Sequence, residues 1–283
     1  MVENRPLLAI LAHAVLLFGI ALVALPVWIT FVGASHEAER MLQSPIPMWP
    51  GDQFFVNLRQ TFFGSGLEGT ETAPVWMMLM NSMIMALMIA IGKIAISLLS
   101  AFAIVYFKFP FRMGLFWMIF ITLMLPVEVR ILPTFEVIAD LGMLNSYWGL
   151  TVPLIASATA TFMFRQVFLT IPDEMLESAR IDGAGPMRFF WDIVIPLSRT
   201  NIAALFVILF IYGWNQYLWP LLVTTDTDMM TIVVSIKQML EAAEQTPQWN
   251  IIMMTALLAM VPPIFVVIAM QKLFVQGLTE TDK

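Results

Sequence analysis

Apolar residues along this chain gather into six runs separated by polar stretches. The runs are Leu7–Val32, a stretch within Met77–Phe107, roughly Gly114–Ile138, about Trp148–Leu169, about Ile202–Val223 and about Ile251–Val275. About 20 helical residues at 1.5 Å rise cross a bilayer core of about 30 Å, so each run has the length of a membrane helix. The pattern predicts an all-α polytopic membrane protein with six transmembrane helices. The first run follows Arg5, and Val32-Gly33-Ala34 imitates a cleavage site. Its apolar core of about 26 residues is too long for a signal-peptide core of roughly 7–15 residues, so it is expected to stay as a helix.

Composition agrees with this pattern. Of 283 residues, 60% are hydrophobic and 12% charged, with a mean hydropathy of +0.85. That is too apolar for a soluble domain, and membrane lipid is therefore the expected surrounding. The net charge of −6 says little about partners, because the acids lie outside the apolar runs. No basic patch exists, which argues against nucleic acid as a partner. The chain has no cysteine, and its histidines are His13 and His36 only. Disulfides, thiolate chemistry and cysteine-based metal sites are excluded, and a histidine metal site lacks partners.

Lysine and arginine placement sets the orientation. With the amino terminus in the cytoplasm, that side holds Arg5, Lys108, Arg112, Arg165, Arg180, Arg188, Arg199, Lys272 and Lys283, against Arg40, Arg59 and Lys237 outside. Such an excess marks the cytoplasmic loops. Both termini are then cytoplasmic, and segments 33–76 and 225–249 are external. The expected organisation is a first helix with its external loop over 1–76, a core of five transmembrane helices over 77–275 with a cytoplasmic loop at 170–200, and a short tail over 276–283.

The 170–200 segment is a charged, amphipathic island. Thr170 is positioned as an N-cap with Asp173 three residues on, Pro172 is tolerated in a first turn, and Asp173 and Glu174 suit the positive end of the helix dipole. Gly183 is placed to adopt a left-handed residue after the last helical turn. These signals predict a helix over Pro172–Asp182, then a Gly185-Pro186 turn and a second helix over Pro186–Ile195, ended by Pro196. Leu176 and Ala179 share one face, away from Glu177 and Arg180. Phe190, Ile193 and Leu197 are grouped by helical spacing in the second helix. The island reads either as a connector resting on the membrane surface or as a docking element, with small residues at Ser178, Ala179, Gly183 and Ala184 that allow a partner to approach closely.

Charges also fall inside the apolar runs. Lys93 lies mid-way along the second, and Glu128, Arg130 and Glu136 lie in the third beside Pro126 and Pro133. Charges at mid-bilayer are costly and usually face a bundle interior or a wet cavity. The two prolines are expected to kink that run. Lys93 and Arg130 are candidates to meet an anionic solute. The alternatives are neutralisation, such as Lys93 by Glu128, or snorkelling of Arg130 to the outer surface. Asn215, Gln216 and Tyr217, between Trp214 and Trp219, form either an interhelical hydrogen-bond cluster or a polyol-contacting surface.

The island carries a resemblance. Glu177, Ala179, Asp182, Gly183, Ala184, Phe189, Ile193 and Pro196 are similar to the cytoplasmic loop of binding-protein-dependent permeases in ATP-binding-cassette importers. Ser178 stands where alanine is usual, and Thr200 where a second proline is common. Asn81-Ser82, Ser100-Ala101-Phe102-Ala103 and Trp214–Pro220 extend the likeness to most of the chain, best from Asn81 to Phe274. Phe116–Arg130, Ser157–Phe162 and Phe210–Leu222 are similar to the carbohydrate-uptake branch, and within it to permeases for sn-glycerol-3-phosphate.

The resemblance implies the type I importer permease fold and one half of a translocation pathway in a bacterial inner membrane. The implied solute is sn-glycerol-3-phosphate or a related glycerophosphodiester, with a neutral sugar or oligosaccharide as the alternative. The implied partners are a second permease subunit, two ATP-binding subunits and an external (periplasmic) solute-binding protein. Glu177, Ser178, Ala179, Asp182, Gly183, Ala184, Ile193 and Pro196 would then dock the ATPase. Lys93, Glu128, Arg130, Asn215, Gln216 and Tyr217 would be candidates for the pathway. No cofactor is expected on this chain and ATP would be used by the partners, in keeping with the lack of a phosphate-binding loop motif. An ion-coupled secondary transporter would typically show internal repeats or paired broken helices. An intramembrane hydrolase would need a nucleophile–base pair or metal ligands within the runs. Neither pattern is present in the sequence.

Overall fold

A computed structural model describes residues 6–64, 73–121, 127–243 and 248–279, without the side chains of residues 6, 9, 127, 128 and 273–279. Arg5, Pro126 and Lys283 lie outside the described residues, as does the side chain of Glu128. All regular structure among the described residues is helical. In chain order the helices are α1 (Pro6–Ala34), α2 (Ala38–Met41), α3 (Phe54–Phe63), α4 (Val75–Tyr106), α5 (Arg112–Ile121), α6 (Val127–Asp140), α7 (Tyr147–Thr151), α8 (Ala158–Leu169), α9 (Asp173–Ile181), α10 (Pro186–Phe189), α11 (Ile195–Leu197), α12 (Arg199–Trp214), α13 (Leu218–Val223), α14 (Ile232–Ala242) and α15 (Trp249–Thr279).

Against the six runs, the described residues hold three helices long and apolar enough to cross a bilayer, or five if each bent pair counts as one span. The three lie in α1, α4 and α15. The bent pairs are Tyr147–Leu154 with α8, at 51°, and Pro186–Leu197 with α12, at 74°. The remaining run falls on α5 followed by α6. The fifth run departs from the expected single helix over Ile202–Val223. α12 begins at Arg199 and stops at Trp214, and α13 starts at Leu218. Pro220 explains the break, because a helix continued through it would lose one backbone bond and drive the proline ring into the carbonyl of Gln216. Pro133, expected to kink its run, sits inside α6, which is helical on both sides of it.

Cα proximity divides the chain into two compact units, Met1–Met77 with Ser235–Val261, and Met78–Val234 with Pro262–Lys283. In the first, α1 exposes apolar side chains on all sides from Leu7 to Val23. That is the surface of a helix solvated by lipid. The turn after α1 is tied by buried amides. Asn57 donates to the carbonyls of Ala34 at 2.9 Å and His36 at 2.8 Å, and Asn250 donates to Asn57 Oδ1 at 3.1 Å.

The second unit has an apolar core of Met85, Ile89, Ile138, Leu150, Leu154, Trp219 and Val223. The Trp219 indole inside it donates to the Gly149 carbonyl at 3.1 Å, which removes the cost of burying an unpaired N–H. α4 and α12 pack nearly backbone to backbone. A Cβ at Gly213 would lie 2.9 Å from Ala86 Cα, so this crossing admits only glycine. Asn81 closes one end of the unit. Its amide donates to the Asp228 and Met230 carbonyls, and its Oδ1 accepts from the Tyr147 hydroxyl at 2.6 Å.

Candidate functional site

Two features stand out in the second unit, the island and a cavity. The island is a helix pair, α9 and the continuous stretch α10–α11. α9 starts one residue later than its sequence signals indicate, with Pro172 as N-cap. Thr170 does not cap α9. It follows α8, and its hydroxyl donates to the Val167 carbonyl at 2.7 Å. A hydroxyl at a boundary between two helices can serve either one, and the carbonyl end of α8 is within its reach. Asp173 and Glu174 open α9 and Arg180 closes it, which complements the helix dipole.

The end of α9 is a Schellman motif. Gly183 has φ +73°, the Ala184 N–H bonds the Ala179 carbonyl at 2.8 Å, and the Gly183 N–H bonds the Arg180 carbonyl at 3.1 Å. Ala179 is 5% exposed and packs inward, while Glu177, Ser178 and Asp182 are exposed. Ile181 beside them is 86% exposed, an apolar side chain standing out from a polar surface.

The second helix does not end at Pro196. It runs from Pro186 to Leu197, and its middle, Phe190–Val194, is π-helical. The wider π turn changes which side chains face inward. The buried stripe is Phe190, Val194 and Ser198, four residues apart, while Ile193 is half-buried and Leu197 exposed. The expected stripe of Phe190, Ile193 and Leu197 assumed 3.6 residues per turn, and the π segment shifts it by one residue. Pro196 lies just past that segment, and the bend into α12 comes at Ser198 instead.

An aromatic seat joins the island to α4. Phe102 lies 4.8 Å from Phe190 between ring centroids, and Tyr106 lies 5.2 Å from Phe189, edge to face. The Tyr106 hydroxyl donates to the Phe168 carbonyl at 3.2 Å. Pairs of this kind contribute about 0.5–1.5 kcal/mol each beyond area burial. The exposed Arg188–Asp192 pair, at 3.3 Å, contributes about 0.5 kcal/mol or less. That pair lies within the second helix of the island, and it is the rings that join the island to α4. From Tyr106 back to Lys93 is 13 residues of α4, about 20 Å of rigid rod.

At that level lies a cavity of about 650 Å³ that includes Lys93, Arg130, Tyr212, Ser157, Thr159 and Thr161 in its wall. Lys93 is 6% exposed, and its Nζ rests 3.8 Å above the centre of the Tyr212 ring. The Gly213 crossing brings Tyr212 within reach of α4. Such a contact is worth about 2 kcal/mol when desolvated, less than the several kcal/mol that burying an ammonium costs. Arg130 is exposed on α6 and lines the same cavity as Lys93. Ser157 is the N-cap of α8 and accepts from the Ala160 N–H at 3.2 Å, while Ser97 on α4 donates to the Ser157 carbonyl at 3.3 Å.

The sequence candidates are therefore separated. Lys93 and Arg130 share the cavity, whereas Asn215, Gln216 and Tyr217 fall at the break between α12 and α13 and do not line it. Gln216 donates to the Tyr212 carbonyl at 3.1 Å, a local bond within one turn. Glu136 is exposed on α6, outside the cavity wall. Sequence reasoning missed Tyr212, the N-terminus of α8 and Ile181. A buried lysine needs a compensating face, but the run holds Phe206, Phe210, Tyr212, Trp214, Tyr217 and Trp219, and only the fold shows which of these meets Lys93.

Comparisons with known proteins follow the same lines. Residues 93–280 match the family described as binding-protein-dependent transport system inner membrane component. The chain is 58% identical to the sn-glycerol-3-phosphate transport system permease protein UgpE of Agrobacterium fabrum, 57% to that of Brucella melitensis and 56% to that of Escherichia coli K12. Each match covers 100% of both chains. Among solved structures it is similar to a chain of a bacterial ABC transporter involved in import of the acidic polysaccharide alginate. That match has a TM-score of 0.79 at 18% identity and covers 96% of this chain and 98% of the other. The same kind of transporter in complex with an alginate pentasaccharide-bound periplasmic protein matches with a TM-score of 0.60 at 15% identity, over 93% and 92%.

Proposed function

This chain belongs to the binding-protein-dependent transport system inner membrane components, and from that membership we propose that it is the permease subunit of an ATP-driven importer for sn-glycerol-3-phosphate or related glycerophosphodiesters. The observation that carries the substrate is the identity of 56–58% with permeases of that name, extending over every residue of both chains.

In this reading the chain forms half of a pathway with a second permease subunit, receives solute from a periplasmic binding protein, and uses ATP hydrolysed by two partner subunits. Both termini and the island face the cytoplasm. Glu177 and Asp182 supply the polar contacts to the ATPase, Ile181 an apolar one, and Ser178, Ala179 and Ala184 the close approach. Gly183 sets the angle between α9 and the following helix. Ile193 and Pro196 shape the second helix of the pair. ATP binding closes the motor subunits and carries the island with them. The aromatic seat passes that displacement to α4 as a rigid body, because side chains packed this closely cannot yield independently. α4 then moves relative to the partner permease and exchanges inward-facing for outward-facing states.

The test is to tag the chain, extract it in mild detergent, and reconstitute what co-purifies. Recovery of an ATPase and a second permease, with binding-protein-dependent uptake of radiolabelled sn-glycerol-3-phosphate that requires ATP, is the expected result. Ion-coupled uptake by the chain alone would overturn the reading.

A further inference from the structure

The cavity in the second unit joins three sources of positive potential. The first is the Lys93 ammonium, held at 6% exposure on the face of Tyr212. The second is the Arg130 guanidinium, exposed and lining the same cavity as Lys93. The third is the first turn of α8, a helix of 12 residues whose N-cap, Ser157, and first-turn residues Ala158 and Thr159 line the wall. Among the described residues, which do not include the Glu128 side chain, no carboxylate lines this cavity.

Two cations and a helix N-terminus facing one space repel one another in a low-dielectric region, and a tyrosine ring offsets only part of that cost. A neutral polyol would leave the repulsion as it is, whereas a dianionic group would relieve it. The cavity volume of about 650 Å³ lies within the range of small-molecule sites.

We infer that this permease subunit itself carries a binding subsite for the phosphate group of the transported ester, with Arg130 as the direct bidentate contact, the α8 N-terminus donating N–H groups, and Lys93 as the fixed charge behind them. The inference rests on the phosphate-ester reading above and deepens it. Arg130 suits the direct role, because its planar fork matches two phosphate oxygens and it faces the open space. Lys93 is too enclosed for more than a point charge. Thr159 adds a hydroxyl at the same wall, while the Thr161 hydroxyl already donates to the Ser157 carbonyl at 2.9 Å. The charge requirement is thereby imposed a second time, inside the membrane, after the external binding protein has selected the solute.

The experiment uses the complete reconstituted importer with saturating, substrate-loaded binding protein. Uptake of radiolabelled sn-glycerol-3-phosphate and binding-protein-stimulated ATP hydrolysis are measured in the same vesicles. The variant Arg130→Gln is expected to lower uptake about 10- to 100-fold, as loss of a charge-assisted contact does, with ATP hydrolysis within about twofold of the parent. Arg130→Lys should recover only part of the uptake, because it restores the charge and not the two-pronged contact. Lys93→Met should show the same split, and because Lys93 is buried, Arg130→Gln keeps the test decisive if that variant does not assemble. Unchanged uptake by Arg130→Gln would overturn the inference, and so would a parallel fall in uptake and hydrolysis, which marks a structural role. A parent importer that takes up a neutral sugar and not the phosphate ester would overturn the substrate reading along with it.

Discussion

At the scale of single residues, the island is governed by backbone geometry at Gly183 and surface chemistry at Glu177. Gly183 sits at φ +73° and completes two hydrogen bonds that would otherwise leave carbonyls open at the end of α9. Any residue with a Cβ pays about 1–2 kcal/mol there. Gly183→Val should therefore weaken coupling by misdirecting the chain after α9, while asparagine, which tolerates this conformation, should cost less. The ratio of uptake to ATP hydrolysis measures the difference. Glu177→Lys reverses an exposed charge without touching packing. It should fold, yet assemble poorly with the ATPase or hydrolyse ATP without transport, and normal coupled uptake by that variant would remove Glu177 from the docking surface. Gly183 was legible from its place after a periodic stretch. Thr170 was not, because its hydroxyl serves α8 instead of α9, a choice made by which orphan backbone group lies nearer.

At the scale of elements, the crossing of α4 and α12 decides where the cationic cavity lies. The two backbones touch at Gly213 and Ala86, and that closeness brings Tyr212 under Lys93. A Gly213→Leu substitution pushes the helices apart by the width of a side chain. Its expected result is a large loss of folded protein in the membrane, measured as the amount recovered after mild detergent extraction, because overpacking a tight crossing costs about 1–3 kcal/mol or more. Secondary structure within the apolar runs was predictable from their length and composition. Their interruptions were less so. Pro220 broke the fifth run where a continuous helix was expected, and Pro196 did not stop the helix that contains it, since the π turn at Phe190–Val194 had already changed the register. A proline marks a place where regular helix is expensive, and the surrounding packing decides whether the chain bends, widens or breaks.

At the scale of the whole molecule, the orientation proposed from the excess of lysine and arginine on one set of loops is testable, because the chain has no cysteine of its own. A single cysteine at Lys108, exposed on another loop read as cytoplasmic, should react with a membrane-impermeant maleimide only in inverted vesicles, and one at Thr225 only in intact spheroplasts. The reverse pattern would invert the topology and place the island outside, which no cytoplasmic motor could reach. The island, the aromatic seat and α4 form one continuous path of packed side chains from an exposed polar surface to the level of Lys93. Coupling by rigid displacement requires that continuity.

The sequence by itself determined the class of molecule: six apolar runs long enough to cross a bilayer, the loops that hold the positive charge, and a charged island with a glycine-terminated helix. These are legible because burial in lipid and helix termination act on residues close together in the chain. The tertiary structure alone decided which charges meet. Lys93, Arg130, Ser157 and Tyr212 lie on four different elements, and Asn215, Gln216 and Tyr217, which neighbour Tyr212 in sequence, fall outside the same cavity. Helix crossings set by small residues and helix breaks set by proline place side chains in space, and neither the crossing partner nor the turn after a break is written in the local pattern of apolar and polar positions.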